Sequence, residues 1–409
     1  MGKIELLSPA GSFSKLKTAF YFGADAVYVG GKDFSLRAFA TNFSNDELKD
    51  AVIYAHSLNK KLFVTLNVFA RDEDVERVKD YLKYLYEIGV DAVIMTDTGL
   101  ISMARKVVPN LEIHLSTQAN TLNSYTINFW ADQGVKRVVL ARELSIDQIS
   151  KIRDKISPET ELEVFVHGAM CISYSGRCLL SNYLTNRDSN KGQCVQACRW
   201  EYEIREKSRD GSYLTITEDD RGTYILNSKD LNMLKYIDLL KKAGVNSFKV
   251  EGRMKSEYYL ATVINAYRRG IDYLESLENG EKFILPSYLE EELKKTAHRE
   301  YTTAFYLGEN DRTVNYDDSS AKGDCEYIAN VLSCDDGYIT VEMRNRFKKG
   351  DVLEVLTPTS NLNKEIVVDE IISSKGEIIK DAKLVQEILK IKSDIVLQNG
   401  DILRRKTKS

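Results

Sequence analysis

Four stretches of the chain share one pattern, a glycine followed by a short run apolar at nearly every position. They are GADAVYVGG from Gly23, GVDAVIMTD from Gly89, GVKRVVLAR from Gly134 and GVNSFKVEGR from Gly244. A glycine that closes a helix adopts the left-handed conformation at little cost. A continuous Val/Ile-rich run is what a strand buried on both faces needs. Between these runs lie KKLFVTLN (60–67), LEIHLSTQ (111–118) and LEVFVHG (162–168), with IELLSPAG at the start, so eight strands are predicted. Helical spacing fills the gaps: over residues 72–89, Val75, Val78, Leu82, Leu85 and Ile88 recur on one face. Ser44 with Glu47, and Ser145 with Gln148, have capping-box spacing and open two further helices.

Strand and helix alternate over residues 3–275, which predicts an α/β fold with a parallel sheet. Eight such units favour a TIM-type (β/α)8 barrel, and the first strand runs into SPAGSF rather than a dinucleotide-binding glycine fingerprint. Almost 80 residues separate the end of the seventh strand at His167 from Asn246, far more than an ordinary connection. This cysteine-rich insertion after strand seven is expected to carry hairpin strands in WEYEIRE and TYILN, then a helix from Leu231 to Lys242. After a helix from Lys255 to about Leu277 the pattern changes to short alternating strands, EYIANVLSC, GYITVEMR, DVLEVLTP and EIVVDEI, which predict a small C-terminal β-barrel. The division is a barrel over 1–300 with its insertion at 168–228, a linker over 301–322 and a β-domain over 323–409.

No run approaches the roughly 18 apolar residues of a membrane span. The N-terminus lacks a secretory signal's long apolar core, so a cytoplasmic protein with reduced thiols is expected and no membrane partner. A net charge of −4 means that any nucleic-acid partner would need a local basic surface.

The insertion holds four of the six cysteines, Cys171, Cys178, Cys194 and Cys198, spaced C-x6-C-x15-C-x3-C. Disulfides fit a reducing compartment poorly. A structural zinc site usually draws on two close pairs, and only the second pair here is close. An iron–sulfur cluster accepts irregular spacing, because four thiolates need only converge on one cube. Zinc stays the alternative to iron–sulfur on spacing alone.

The run EVFVHGAMCISYSGRC (163–178) closely resembles the signature of the collagenase-like peptidases of unknown catalytic type. SPAG after the first strand, STQAN (116–120), ARE (141–143) and EGRMK (251–255) are similar to that family as well, so the resemblance spans nearly the whole chain. It implies a [4Fe–4S] cluster on Cys171, Cys178, Cys194 and Cys198. It also implies that many members, rather than cleaving peptides, hydroxylate RNA bases or quinone precursors without molecular oxygen. One branch has a barrel of this size and a C-terminal β-domain. It makes 5-hydroxyuridine at the tRNA wobble position with prephenate as hydroxyl source, and the length and tail here resemble it. The implied partners are the tRNA anticodon stem-loop, prephenate or a similar small dicarboxylate, and a second protein of the same family. One departure stands at HREYTTAFYLG (298–308), where the family usually has glycine in place of Ala304.

Peptidase chemistry has little residue support. The four histidines, His56, His114, His167 and His298, form no HExxH pair, and no GxSxG turn is present. A non-catalytic RNA-binding or assembly factor is the other alternative. Active sites of such barrels form at strand C-terminal ends, which here read Ser8, Gly30, Asn67, Asp97, Gln118, Arg142, Glu143, His167, Glu251 and Arg253. Arg142 and Arg253 are expected as anion clamps, since guanidinium forks grip carboxylates, with Arg177 beside Cys178 as a third. Glu143 and Glu251 are acid–base candidates or partners that hold those arginines, and His167 is a donor or proton carrier beside the cysteines. Asn67, Gln118, Arg177 and Tyr174 are the substrate-contact candidates. The plain alternative is a ring of structural ion pairs, with His167 bonded among strand ends and His114 packed in the barrel.

For RNA, basic residues cluster at Arg177, Arg187, Lys191, Arg199 and Arg205. A second group is Arg344, Arg346, Lys348, Lys349, Arg404, Arg405 and Lys406 in the tail. Tyr174, Tyr183 and Trp200 could stack on an unstacked base. Solvated charges and packed aromatics are the plain alternative. Cys325 and Cys334 are read as ordinary thiols.

Overall fold

A computed structural model describes residues 2–32, 42–68, 70–170, 229–278, 280–308 and 321–407, with short pieces between 180 and 224. The eight predicted strands are present: β1 (Glu5–Pro9), β2 (Ala26–Gly30), β3 (Lys61–Leu66), β4 (Ala92–Met95), β5 (Glu112–Leu115), β6 (Arg137–Val139), β7 (Glu161–Ala169) and, after the insertion, β9 (Ser247–Val250). All pair in parallel, and β9 meets both β1 and β7, so the sheet closes into a barrel. The helices α1 (Phe13–Tyr21), α2 (Asn45–Ser57), α3 (Asp72–Glu87), α4 (Thr98–Val107), α5 (Ser124–Asp132) and α6 (Ile146–Arg153) alternate with them. Helices α7 (Ile237–Lys242) and α8 (Glu257–Ser276) flank β9. Both expected capping boxes form, Ser44 with Glu47 on α2 and Ser145 with Gln148 on α6. The glycines of the repeated pattern sit at φ +104°, +82°, +80° and +83°, the helix-closing conformation the pattern called for.

The strand region departs from expectation in two places. Residues 230–232 are not the start of a helix; they form β8 (Asp230–Asn232), antiparallel to the end of β7, and the helix that follows begins only at Ile237. Leu231 and Asn232 therefore pair with Gly168 and His167. The stretch expected as a linker also begins as structure. β10 (Tyr301–Thr302) runs beside β8, and Tyr306 is buried with its hydroxyl donating to the Phe165 carbonyl at 2.7 Å. Of the insertion's hairpins, Ile204–Arg205 pairs with Tyr213–Leu214 and Thr217–Asp219 with Gly222–Tyr224.

A second core belongs to the C-terminal strands. These are β11 (Cys325–Asp335), β12 (Tyr338–Met343), β13 (Phe347–Lys348), β14 (Val352–Leu356), β15 (Glu365–Val367), β16 (Ile371–Ile372), β17 (Ile378–Ile379), β18 (Asp381–Ala382), β19 (Ile388–Lys392) and β20 (Ile402–Lys406). Eight of them form one antiparallel sheet in the order β15-β14-β20-β11-β12-β19-β16-β17. Its two end strands do not pair with each other among the described residues, so the expected small β-barrel takes the form of a half-barrel. β13 and β18 make a separate two-stranded ribbon.

The two parts share an extensive polar seam along α8 and α9 (Ser287–Lys294). Arg404 of β20 is fully buried, with bonds of 2.5 and 2.9 Å to Glu292 of α9 and 2.7 Å to Glu354 of β14. Lys295 joins Glu354 at 2.7 Å, and Arg269 of α8 donates to the carbonyls of Thr357, Pro358 and Thr359. Tyr258 stacks on Tyr327 at 5.6 Å. Arg404, expected among the RNA-facing cations, is a structural residue, because a buried guanidinium must be paired.

Candidate active site at the barrel mouth

The barrel bore is filled from its floor. Arg137 lies within ion-pair reach of Glu5, of Glu161 at 2.6 Å and of Glu163 at 3.1 Å, and Lys249 meets Glu163 at 2.6 Å. Burial would raise the Glu163 carboxyl, but Lys249 and Arg137 outweigh it and hold it down at about 2. His114 lies in the same layer, fully buried, 4.7 Å edge-on to the Phe63 ring and 2.8 Å from Glu112, so its packed reading holds.

Above this layer Lys249 sits over the Tyr28 ring at 4.6 Å and the Phe165 ring at 5.4 Å. The Arg142 guanidinium lies 3.9 Å from Phe165, a cation–π pair within the barrel. It donates to the Ala169 carbonyl at 2.9 Å, two residues before Cys171, while its Nε is buried without a partner. Tyr28 donates to the Val250 carbonyl at 3.0 Å and approaches Glu251 at 3.4 Å. Arg253 donates to Thr65 Oγ1 at 3.0 Å, and Thr65 in turn donates to the Val29 carbonyl. Gln118 accepts from Thr96 at 3.2 Å, and Asn67 Oδ1 and Thr121 Oγ1 are buried without partners. Glu143 is half-buried, and burial raises its carboxyl.

Of the expected residues, Arg142, Glu251, Arg253, Asn67, Gln118 and Glu143 thus lie at the C-terminal ends of the strands. Two others at those ends serve the backbone: Asp97 caps α4 through the Leu100 N–H, and Ser8 donates to the Pro9 carbonyl. His167 does not join them. Glu163 and Phe165 point into the bore, and strict alternation would send His167 there too. The β7–β9 register instead shifts between Phe165 and His167, which turns the ring outward. It packs among Tyr267 at 5.5 Å, Tyr301 at 5.4 Å and Tyr259 at 6.1 Å, with Nδ1 unpartnered. Burial pushes the imidazole down to about 3, so it is neutral near pH 7 and unsuited to proton transfer. His298, expected on the surface, stacks on Tyr301 at 4.2 Å. Cys171, Tyr174, Arg177, Cys178, Cys194 and Cys198 lie outside the described residues.

Four residues of the mouth were missed: Tyr28, Thr65, Phe165 and Lys249. The available signal was a lysine inside an otherwise apolar strand, since a buried ammonium needs a built partner. Together the mouth offers two guanidinium groups, two carboxylates and unpaired amide and hydroxyl groups over an aromatic floor. That set suits a small molecule bearing carboxylates and hydroxyls.

Residues 11–316 match peptidase family U32, and residues 324–404 match the peptidase family U32 C-terminal domain. The chain is similar to tRNA hydroxylation protein P1 of Bacillus subtilis, 38% identical with 98% of this chain and 95% of that one covered. It is also 38% identical to tRNA hydroxylation protein P of Escherichia coli, covering 92% and 91%. The 23S rRNA 5-hydroxycytidine C2501 synthase of Escherichia coli is 33% identical over 87% of this chain and 52% of its own length. With both domain matches in register along one chain, and full-length relatives well above 30% identity, the chain belongs to peptidase family U32.

Proposed function

We propose that this chain is an RNA-modifying enzyme that hydroxylates the wobble uridine of tRNA at C5 without molecular oxygen. The observation that carries the reading is the end-to-end match, over 98% of this chain, to a relative named for tRNA hydroxylation. A second named relative acts on ribosomal RNA, which supports base hydroxylation as the shared chemistry. Replacing C5–H by C5–OH oxidises the base by two electrons. A donor R–OH balances it by giving up its hydroxyl oxygen and leaving as R–H, reduced by two. The mouth supports a small dicarboxylate donor of prephenate's kind: Arg253 and Arg142 supply guanidinium groups, and Glu251 and Glu143 are the acid–base candidates.

Thiolates for a [4Fe–4S] cluster would come from Cys171, Cys178, Cys194 and Cys198. The other two cysteines, Cys325 and Cys334, are free thiols of the C-terminal domain. Such a cluster would supply Lewis acidity or electrons to the reaction. Arg142 donates to the Ala169 carbonyl, two residues before Cys171 in the sequence. The peptidase alternative finds no support among the described residues, where no histidine bonds a serine, threonine or cysteine. Mass spectrometry of tRNA nucleosides from cells lacking the gene is the test. Loss of 5-hydroxyuridine is expected, and unchanged levels together with gelatin cleavage by the purified protein would reverse the reading. Iron and sulfide assays on anaerobically purified protein test the cluster, and zinc alone would overturn it.

A further inference from the structure

The basic residues of the C-terminal domain are not equivalent. Arg404 is buried in the interdomain seam, Arg405 is held by Asp351 at 2.6 Å and Glu326 at 2.7 Å, and Lys406 meets Glu365 at 3.2 Å. Arg344 is occupied by Glu342 at 3.0 Å and approaches Glu257 at 3.8 Å. What remains lies on the ribbon of β13 and β18, where Lys348 pairs with Asp381 across the strands and the Lys349 N–H bonds the Lys380 carbonyl. Arg346, Lys348, Lys349, Lys380 and Lys383 are all exposed there. Arg346 and Lys383 share the Asp381 carboxylate, while Lys348, Lys349 and Lys380 have no ion-pair partner among the described residues. Within 346–349 and 380–383, five cations thus face one carboxylate, on a chain whose net charge is −4. A cleft of about 380 Å³ opens beside them, its cations Arg346, Lys348 and Arg405 facing the carboxylates of Glu326 and Asp351, the two that hold Arg405.

The segment leading into the ridge touches the barrel near the end of β9. Arg344, two residues before Arg346, approaches Glu257, the first residue of α8 and four residues after Arg253. We propose that this ribbon is an RNA-docking ridge that grips the sugar–phosphate backbone while the target base reaches the barrel. The proposal rests on the RNA-modifying reading above. A row of unpaired, flexible ammonium groups suits phosphates, which are contacted as point charges and without sequence selectivity.

The test is binding of an unmodified tRNA transcript to the full-length protein across a salt series. Lys348→Ala, Lys349→Ala and Lys380→Ala are combined, with Lys375→Ala, Lys390→Ala and Lys392→Ala as the control set in the same domain. The ridge variant should bind about tenfold or more weakly, and its slope of log affinity against log salt should fall by roughly two to three. Its melting temperature should not move, because the three side chains are exposed and unpaired. An unchanged affinity and slope in the ridge variant overturns the ridge alone, and is also the result if the surface docks a protein instead. An equal loss in the control set overturns it as well. Failure of the unmutated protein to bind any RNA overturns both the ridge and the function it rests on.

Discussion

At Gly168 the backbone takes a φ of +106°, and a Cβ placed there would stand 2.6 Å from the Glu251 carbonyl oxygen. Strain of about 1–2 kcal/mol and a backbone clash of about 1–3 kcal/mol then add, so Gly168→Ala should lower stability by roughly 2–5 kcal/mol, read from the denaturant midpoint. Ala304 is the opposite case. It holds a φ of +50°, at the position where the resemblance leads to an expectation of glycine, and it is 1% exposed. Relief of left-handed strain, about 1 kcal/mol, and loss of a buried methyl, about 0.8 kcal/mol, nearly cancel, which explains how alanine is accommodated. Arg253→Lys should keep the charge but lose the fork, cutting kcat/KM for the proposed hydroxylation about 10- to 100-fold with the fold intact. His167 sets a pH dependence. Its imidazole stays neutral in the native state down to about 3, while in the unfolded chain it takes up a proton near 6.5. Native stability is therefore lost as pH falls, by about 1.4 kcal/mol per unit below 6.5. His167→Phe should flatten the stability profile between pH 6.5 and 5, leaving the share of His114, whose pKa burial also lowers. Residue types at strand ends were legible in the sequence. The outward turn of His167 was not, because it depends on a register shift between two strands 80 residues apart in sequence.

Among the elements, the eight barrel strands and the helices between them were legible because each carries its own period and several helices carry a side-chain cap. β8 was not. Its three residues are followed closely by a 3-10 turn (Leu234–Tyr236) and then by α7, with no alternation to separate them from that helical run; their strand state comes from pairing with the overhanging end of β7. The order and closure of the C-terminal strands were not legible for a related reason: both depend on partners, and the alternation of each strand looks the same in an open or a closed sheet. The charged layer of the bore gives a prediction at this scale. Lys249→Met leaves Glu163 buried with one cation fewer and should cost about 3–5 kcal/mol, whereas Lys249→Met with Glu163→Gln should recover much of it. Because the folded Glu163 carboxyl is depressed, its contribution is complete above about 4.5 and is lost as pH falls toward 2. In Lys249→Met that acid loss should shrink, measured as unfolding free energy between pH 5 and 3.

For the whole molecule, the seam at Arg404 makes barrel and half-barrel one body. Arg404→Met leaves the buried Glu292 and Glu354 to share Lys295 as their one cation and should cost about 3–5 kcal/mol, while Arg404→Met with Glu292→Leu should restore most of the loss, seen in the melting temperature. Sequence patterning showed two domains; it could not show that an arginine in a run of basic residues faces inward, since RRK reads the same on a surface as in a seam. One feature of the bore bears on the order of events in catalysis. Arg137, Glu163 and Lys249 stopper it from below, so among the described residues the mouth is its one door. A nucleotide drawn from RNA would seat across that door. Under the proposed chemistry the small donor must enter first and its spent remnant must leave last, a compulsory sequence that a through-channel would not impose.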